Sequence, residues 1–187
     1  MDKDINLVYE EYMECVKRLK DSPKDQALKE EVGASFLQLF DMIKMFLILK
    51  KERYYGHFLI NMDTRIDFAM SHVAGVNADT NPFTMMINPV AISSYRIKEM
   101  IFIICHEIEH LVLNHPAEGN RINKEKDLKK KVLLNIAMDA SVNDRLAMEI
   151  EKYDIGMMEC PQDAITSRRL SDVCNKKIRP LKEFTYY

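Results

Sequence analysis

The sequence predicts a mainly helical α+β fold, with a small sheet or hairpin packed by one central helix. Three observations predict it. Apolar residues recur at helical spacing over most of the chain. A stretch punctuated by Gly, Asn and Pro, from Tyr54 to Pro89, carries two short alternating segments. An apolar run, Met100 to Cys105, leads directly into His106-Glu107-Ile108-Glu109-His110.

At 187 residues the chain suits a single domain, 1–187. Its expected parts are a helical N-terminal part (1–53), a hairpin with metal-site helices (54–150), and a C-terminal loop and tail (151–187). With 47% apolar and 30% charged residues it is globular. A net charge of -2 argues against a nucleic-acid binder. No basic segment followed by an apolar one opens the chain, so no secretory signal is expected. The longest apolar stretch, Phe36 to Leu49, is broken by Asp41 and Lys44, so no membrane role is expected. Cys15, Cys105, Cys160 and Cys174 form no C-x-x-C pair. They read as free thiols of a cytoplasmic protein.

Taken in order, Asp4 to Lys20 has Leu7, Val8, Tyr12, Cys15, Val16 and Leu19 at helical spacing. Ser22-Pro23-Lys24-Asp25 reads as a cap, a first-turn proline and a first-turn acid. A second helix then runs from about Pro23 to about Arg53, with a core stripe that includes Phe36, Phe40, Ile43 and Phe46. Gly33 weakens it by about 1 kcal/mol against Ala and is a candidate break. Arg65 to Met70 and Phe83 to Asn88 alternate as strands, with His72 to Pro82 as the loop of a hairpin. Asn88-Pro89 stops the second strand. An exposed edge there could hold an extended peptide, or be an ordinary covered edge. His57 and His72 lack ligand spacing and read as surface or loop histidines.

Arg96 to His115 is the next helix, capped by Ser93 or Ser94 and closed by Pro116. Residues four apart on a helix share a face, rotated by only about 40°. His106 and His110 can therefore grip one cation, with Glu107 placed to take a proton from an activated water. This residue pattern is that of a zinc hydrolase. The bland alternative is a surface helix with two ordinary histidines. It fits poorly, because burying His, Glu, Glu and His among apolar flanks costs several kcal/mol unless they are paired or ligated.

The charged run Lys124 to Lys131 reads as a solvated face. From Leu133 to Leu146 a helix carries Asn135, Asp139 and Asn143 as one polar stripe. Three protein ligands plus water is the usual catalytic zinc set. Asp139 is the favoured third ligand; otherwise it bonds to its neighbouring asparagines. His115 is the other candidate. It could ligate only if the chain turns sharply near Asn114, which tolerates the left-handed conformation; otherwise it caps a helix end. Asp139 to Asn143 faintly echoes a D-x-S-x-S magnesium motif, but its helical pattern discards that reading. Beyond Glu149, Gly156 to Pro161 reads as a loop that could wall a cleft, and the tail from Arg168 is basic.

On these residues the chain resembles a family of bacterial and phage zinc metallopeptidases. The matching residues are Ile87-Asn88-Pro89, His106-Glu107-Ile108-Glu109-His110 with Leu113-Asn114-His115, Asn135-Ile136-Ala137-Met138-Asp139, and Val142-Asn143. The resemblance implies a zincin-like fold and peptidase-type chemistry, and it implies no substrate. A von Willebrand A-like domain commonly follows in the family. None follows here, which predicts a short member or a chain cut before that domain. The arginine often found after the His-Pro position is also displaced, since Ala117-Glu118-Gly119-Asn120 precedes Arg121.

The expectation is a zinc-dependent metallopeptidase acting on a protein or peptide substrate. His106, His110 and Asp139 hold Zn2+, Glu107 is the general base, and Asn135 and Asn143 orient the ligands. Tyr54, Tyr55 and Arg145 are the candidates for stabilising an oxyanion. The alternatives are a metal-stabilised scaffold with little turnover, which could dock partners through its N-terminal helices or basic tail, and an amidase acting on a non-peptide.

Overall fold

A computed structural model describes residues 2–49, 53–122, 127–153, 156 and 158–180. They form a mainly helical α+β structure with one three-stranded mixed sheet. The chain packs as two compact units, Met1–Met100 and Ile101–Tyr187.

In the first unit α1 (Asp2–Asp21) packs on α2 (Gln26–Leu49), and α2 packs on α3 (Arg53–Ile60). The α1 stripe is buried at Ile5, Val8, Tyr12, Val16 and Leu19, steps of three or four residues, while Leu7 is exposed. Tyr12 meets Phe36 edge-on, with ring centroids 5.4 Å apart. Its buried hydroxyl donates to the Pro89 carbonyl, which meets the polar need of a buried tyrosine. The α2 start differs from expectation. Asp25, not Ser22, accepts from Ala27 N and Leu28 N at 2.9 and 3.2 Å, and Pro23 lies in the preceding turn. Gly33 is buried inside an unbroken α2. By length and composition α2 could cross a membrane, but Phe36, Phe40 and Ile43 are fully buried in this unit.

The sheet departs from the expected hairpin. Its strands are β1 (Asp63–Ile66), β2 (Ala74–Asn77) and β3 (Thr84–Ile87), in the order β1-β3-β2. β1 pairs with β3 in parallel, Asp63 opposite Thr84, so the two expected strands are not a hairpin. The hairpin is β2 with β3, Ala74 opposite Ile87. β2 lies in the segment expected to be loop, its alternation being too short to register. β3 is therefore central, and the strand nearest the metal-type helix in sequence has no free edge for a peptide. The expected strand beyond Ile66 is a turn, where Ala69 N donates to Asp67 Oδ1 at 2.8 Å.

Asn88 ends β3 and caps α4 (Pro89–Ile92), accepting from Val90 N and Ala91 N, with Pro89 in the first turn. His57 and His72 are exposed. An apolar cavity of about 530 Å³ opens beside Tyr54, Phe58, Met62 and Phe83.

Helix α5 (Ile97–Val112) crosses the boundary between the units. Neither Ser93 nor Ser94 caps it. Glu99 reaches back to accept from Arg96 N at 2.9 Å, the acidic half of a capping box. After it come α6 (His115–Ile122), α7 (Leu128–Tyr153) and α8 (Ser167–Cys174). Pro116, expected to close the preceding helix, instead lies in the first turn of α6, a position that needs no N–H. Thr166 caps α8 by accepting from Arg169 N. The expected continuation of the second helix over residues 50–52, the front of the charged run (124–126) and the end of the basic tail (181–187) lie outside the described residues.

Candidate metal centre

The second unit brings α5 and α7 together through polar side chains. On α5, His106 Nδ1 meets Asn143 Oδ1 of α7 at 2.7 Å, and His110 Nε2 meets Asp139 Oδ1 at 3.3 Å. Four residues forward on α5 match four residues back on α7, so the helices run antiparallel across the site. A third link joins Glu109, 1% exposed, to Arg145 Nε at 3.0 Å. An ion pair holding a buried acid is a strong constraint, since removing one partner strands a charge in the interior.

The tautomer of His106 follows from its partners. Asn143 Nδ2 donates to the Ile165 carbonyl at 2.8 Å, so its Oδ1 is the atom facing His106. That oxygen can only accept, so His106 Nδ1 carries the proton and Nε2 bears a lone pair. This Nε2 lies 2.8 Å from Nε2 of His110 and 3.8 Å from Asp139 Oδ1. Three potential ligand atoms, His106 Nε2, His110 Nε2 and Asp139 Oδ1, therefore converge. The donor atoms of a tetrahedral zinc site, with bonds of about 2.0–2.1 Å, lie roughly 3.3 Å apart. The observed separations bracket that value, so His106, His110 and Asp139 fit a small divalent cation and can hold one.

The two histidines are shifted in opposite directions. Burial, followed by repulsion from His110, pushes the pKa of His106 down to about 4, keeping its ring neutral. On His110 burial also opposes charge, but the Asp139 hydrogen bond and the carboxylates of Glu107, Asp139 and Glu109 outweigh it and raise the pKa. Glu107 keeps some contact with solvent, yet burial pushes its pKa up to about 7 against the attraction of His110. A carboxyl with a pKa near neutrality is matched to moving protons. The Asp139 side chain is 39% exposed, against 16% and 15% for His106 and His110, so the cluster opens to solvent on the Asp139 side.

Asn114 has a left-handed backbone, φ 57°, and turns the chain immediately after α5. The turn that His115 needed is present, and it brings His115 Nδ1 to 2.9 Å from His110 Nδ1. Burial lowers the pKa of His115 to about 4. Asn135 is exposed on α7 and makes no bond to either histidine, so of the two expected orienters Asn143 alone contacts a ligand. Arg145 is committed to Glu109 and, at 3.8 Å, to Glu149. Tyr54 and Tyr55 belong to α3, the first exposed and the second buried.

Two participants went unread in the sequence. The Ile165 carbonyl, which orients Asn143, carries no side-chain signal. The segment leading to it is held by Ser167 N donating to Asp144 Oδ1 at 3.0 Å, and an aspartate one residue after Asn143 was the available hint.

A pair of histidines one turn apart on a buried helix, faced by a carboxylate from a second helix, is a group that could hold a metal ion. Residues 46–183 match the family described as "Putative metallopeptidase domain", and the chain belongs to that family. No curated protein and no solved structure matches the chain.

Proposed function

We propose that this chain is a zinc-dependent peptidase. The observation that carries the reading is the convergence of His106 Nε2, His110 Nε2 and Asp139 Oδ1, with Glu107 adjoining the first histidine. A zinc ion bound there supplies Lewis acidity, making a water acidic enough to lose a proton near neutral pH and polarising a peptide carbonyl.

The chain's own groups do the rest. The Glu107 carboxylate takes the proton from the water that attacks the carbonyl carbon. As the C–N bond breaks it passes that proton to the leaving amine, so one water is consumed per bond cleaved. Asn143 holds His106 in the tautomer whose Nε2 lone pair faces the ion. The solvent opening beside Asp139 favours a catalytic site over a closed structural one, because catalytic sites keep a position free for water or substrate.

Metal analysis of protein purified without added zinc, combined with Glu107→Gln, tests the reading. One zinc per chain is expected in both proteins, with cleavage of an unstructured protein substrate lost in the variant. A metal-free wild type would sink the proposal. A metal-loaded wild type that cleaves no peptide bond would leave a scaffold or a non-peptide amidase.

A further inference from the structure

His115 makes a contact that the proposed centre does not explain. It is 4% exposed, and its ring stands 4.9 Å from that of His110 at 66°. The nitrogen of His110 that it meets is Nδ1, at 2.9 Å. The other nitrogen, Nε2, faces His106 and Asp139. His115 therefore lies behind His110, against the ring edge turned away from the converging donors.

A hydrogen bond between two imidazole nitrogens needs one proton and one lone pair. When Nε2 of a neutral His110 gives its lone pair to a cation, its ring proton sits on Nδ1. The facing Nδ1 of His115 must then be bare, with the proton of His115 on its own Nε2. We infer that His115 is a positioning residue and not a ligand: it accepts the Nδ1–H of His110 and so fixes the tautomer and ring orientation that aim Nε2 at the ion. The inference rests on the metal-site reading above. It makes the two histidine ligands equivalent in kind. Each has its far nitrogen held by an acceptor from elsewhere in the unit, Asn143 of α7 for His106 and the first residue of α6 for His110. A neutral acceptor also adds no negative charge to a cluster that already holds Asp139 and Glu107.

Zinc-loaded full chain carrying ¹⁵N-histidine tests this by two-bond proton–nitrogen correlation. His110 is expected to be protonated at Nδ1, with Nε2 shifted by the metal. His115 is expected to be protonated at Nε2, with neither nitrogen metal-shifted. A metal-shifted nitrogen on His115, or a proton on its Nδ1, overturns the inference. In chelator competition, His115→Leu should bind one zinc about 10- to 100-fold more weakly. His115→Asn, whose Oδ1 can accept in the same place, should recover most of that loss. Unchanged affinity in His115→Leu, or failure of Asn to rescue it, also overturns the inference. If the leucine variant does not fold, the wild-type spectrum decides alone. A wild type that takes up no zinc removes the metal-site reading and this inference together. That outcome is distinct from a zinc-binding wild type in which the leucine variant binds equally well.

Discussion

Asn143 faces His106 and Ile165 at once, accepting from the His106 ring at 2.7 Å and donating to the Ile165 carbonyl at 2.8 Å. Reversing the amide would set oxygen against oxygen at one end, so a single orientation satisfies both partners. The side chain thereby reports the tautomer of a histidine on another helix.

Asn143→Ala should therefore weaken zinc binding by about 10- to 100-fold without changing its stoichiometry. It should also lower stability by about 1–3 kcal/mol, because the Ile165 carbonyl loses its donor. Asn143→Asp should restore the zinc affinity, since a carboxylate oxygen can accept from His106 Nδ1, but not the stability, since it offers the Ile165 carbonyl no N–H. Chelator competition and urea unfolding read the two effects separately.

Glu107 predicts a pH-dependent stability in chelator-treated protein. Its folded pKa of about 7 stands above the unfolded value of about 4.3. The protonated form is the favoured one in the fold. Its contribution is complete below about pH 4 and is lost as pH rises through about 7. Metal-free Glu107→Gln should then be more stable than wild type at pH 8, by on the order of 2–3 kcal/mol, with the gap closing at acid pH. Equal stabilities at pH 8 would show that the buried carboxyl carries no such strain.

At the start of α5 the sign reverses. The hydrogen bond from Arg96, opposed by desolvation, holds Glu99 below the usual carboxylate range. Its contribution is present above the unfolded pKa and is lost as pH falls through the lower folded value. Glu99→Gln should cost about 1 kcal/mol at neutral pH. The difference from wild type should shrink below about pH 4, which thermal melts across that range would follow.

Gly56 of α3 is set by close approach. A Cβ there would lie 2.7 Å from the backbone nitrogen of Ile48 and 2.6 Å from its side chain. Alanine favours helix by about 1 kcal/mol. Even so, Gly56→Ala should destabilise by about 1–3 kcal/mol, because backbone cannot move aside as a side chain can. A rise in melting temperature would contradict the packing of α2 on α3.

Helical periodicity carried much of the fold. The stripes of α1 and α2, the α5 run and the polar row of α7 were readable because each repeats over several turns. What escaped was short or depended on distant partners. α3 has eight residues, α6 opens on a His-Pro pair that reads as a stop, and β2 has four residues among turn formers. The pairing of β1 with β3 is parallel and nonlocal, and alternation alone cannot set it. At the site, i to i+4 spacing placed His106 with His110 and Asp139 with Asn143, whereas the helix-to-helix register selected which of the polar stripe would face inward. Asn135 has the same spacing as Asn143 and lies in solvent.

The left-handed residue Asn114 gives the interval between His110 and His115 a geometric meaning. One extra residue ahead of the bend would rotate the returning chain by about 100° and carry His115 away from the ring it now meets. A β-branched side chain at the bend itself would resist the backbone angle altogether. Variation along this segment should therefore exchange Asn114 for Gly or Asp while leaving the count of residues between the two histidines untouched.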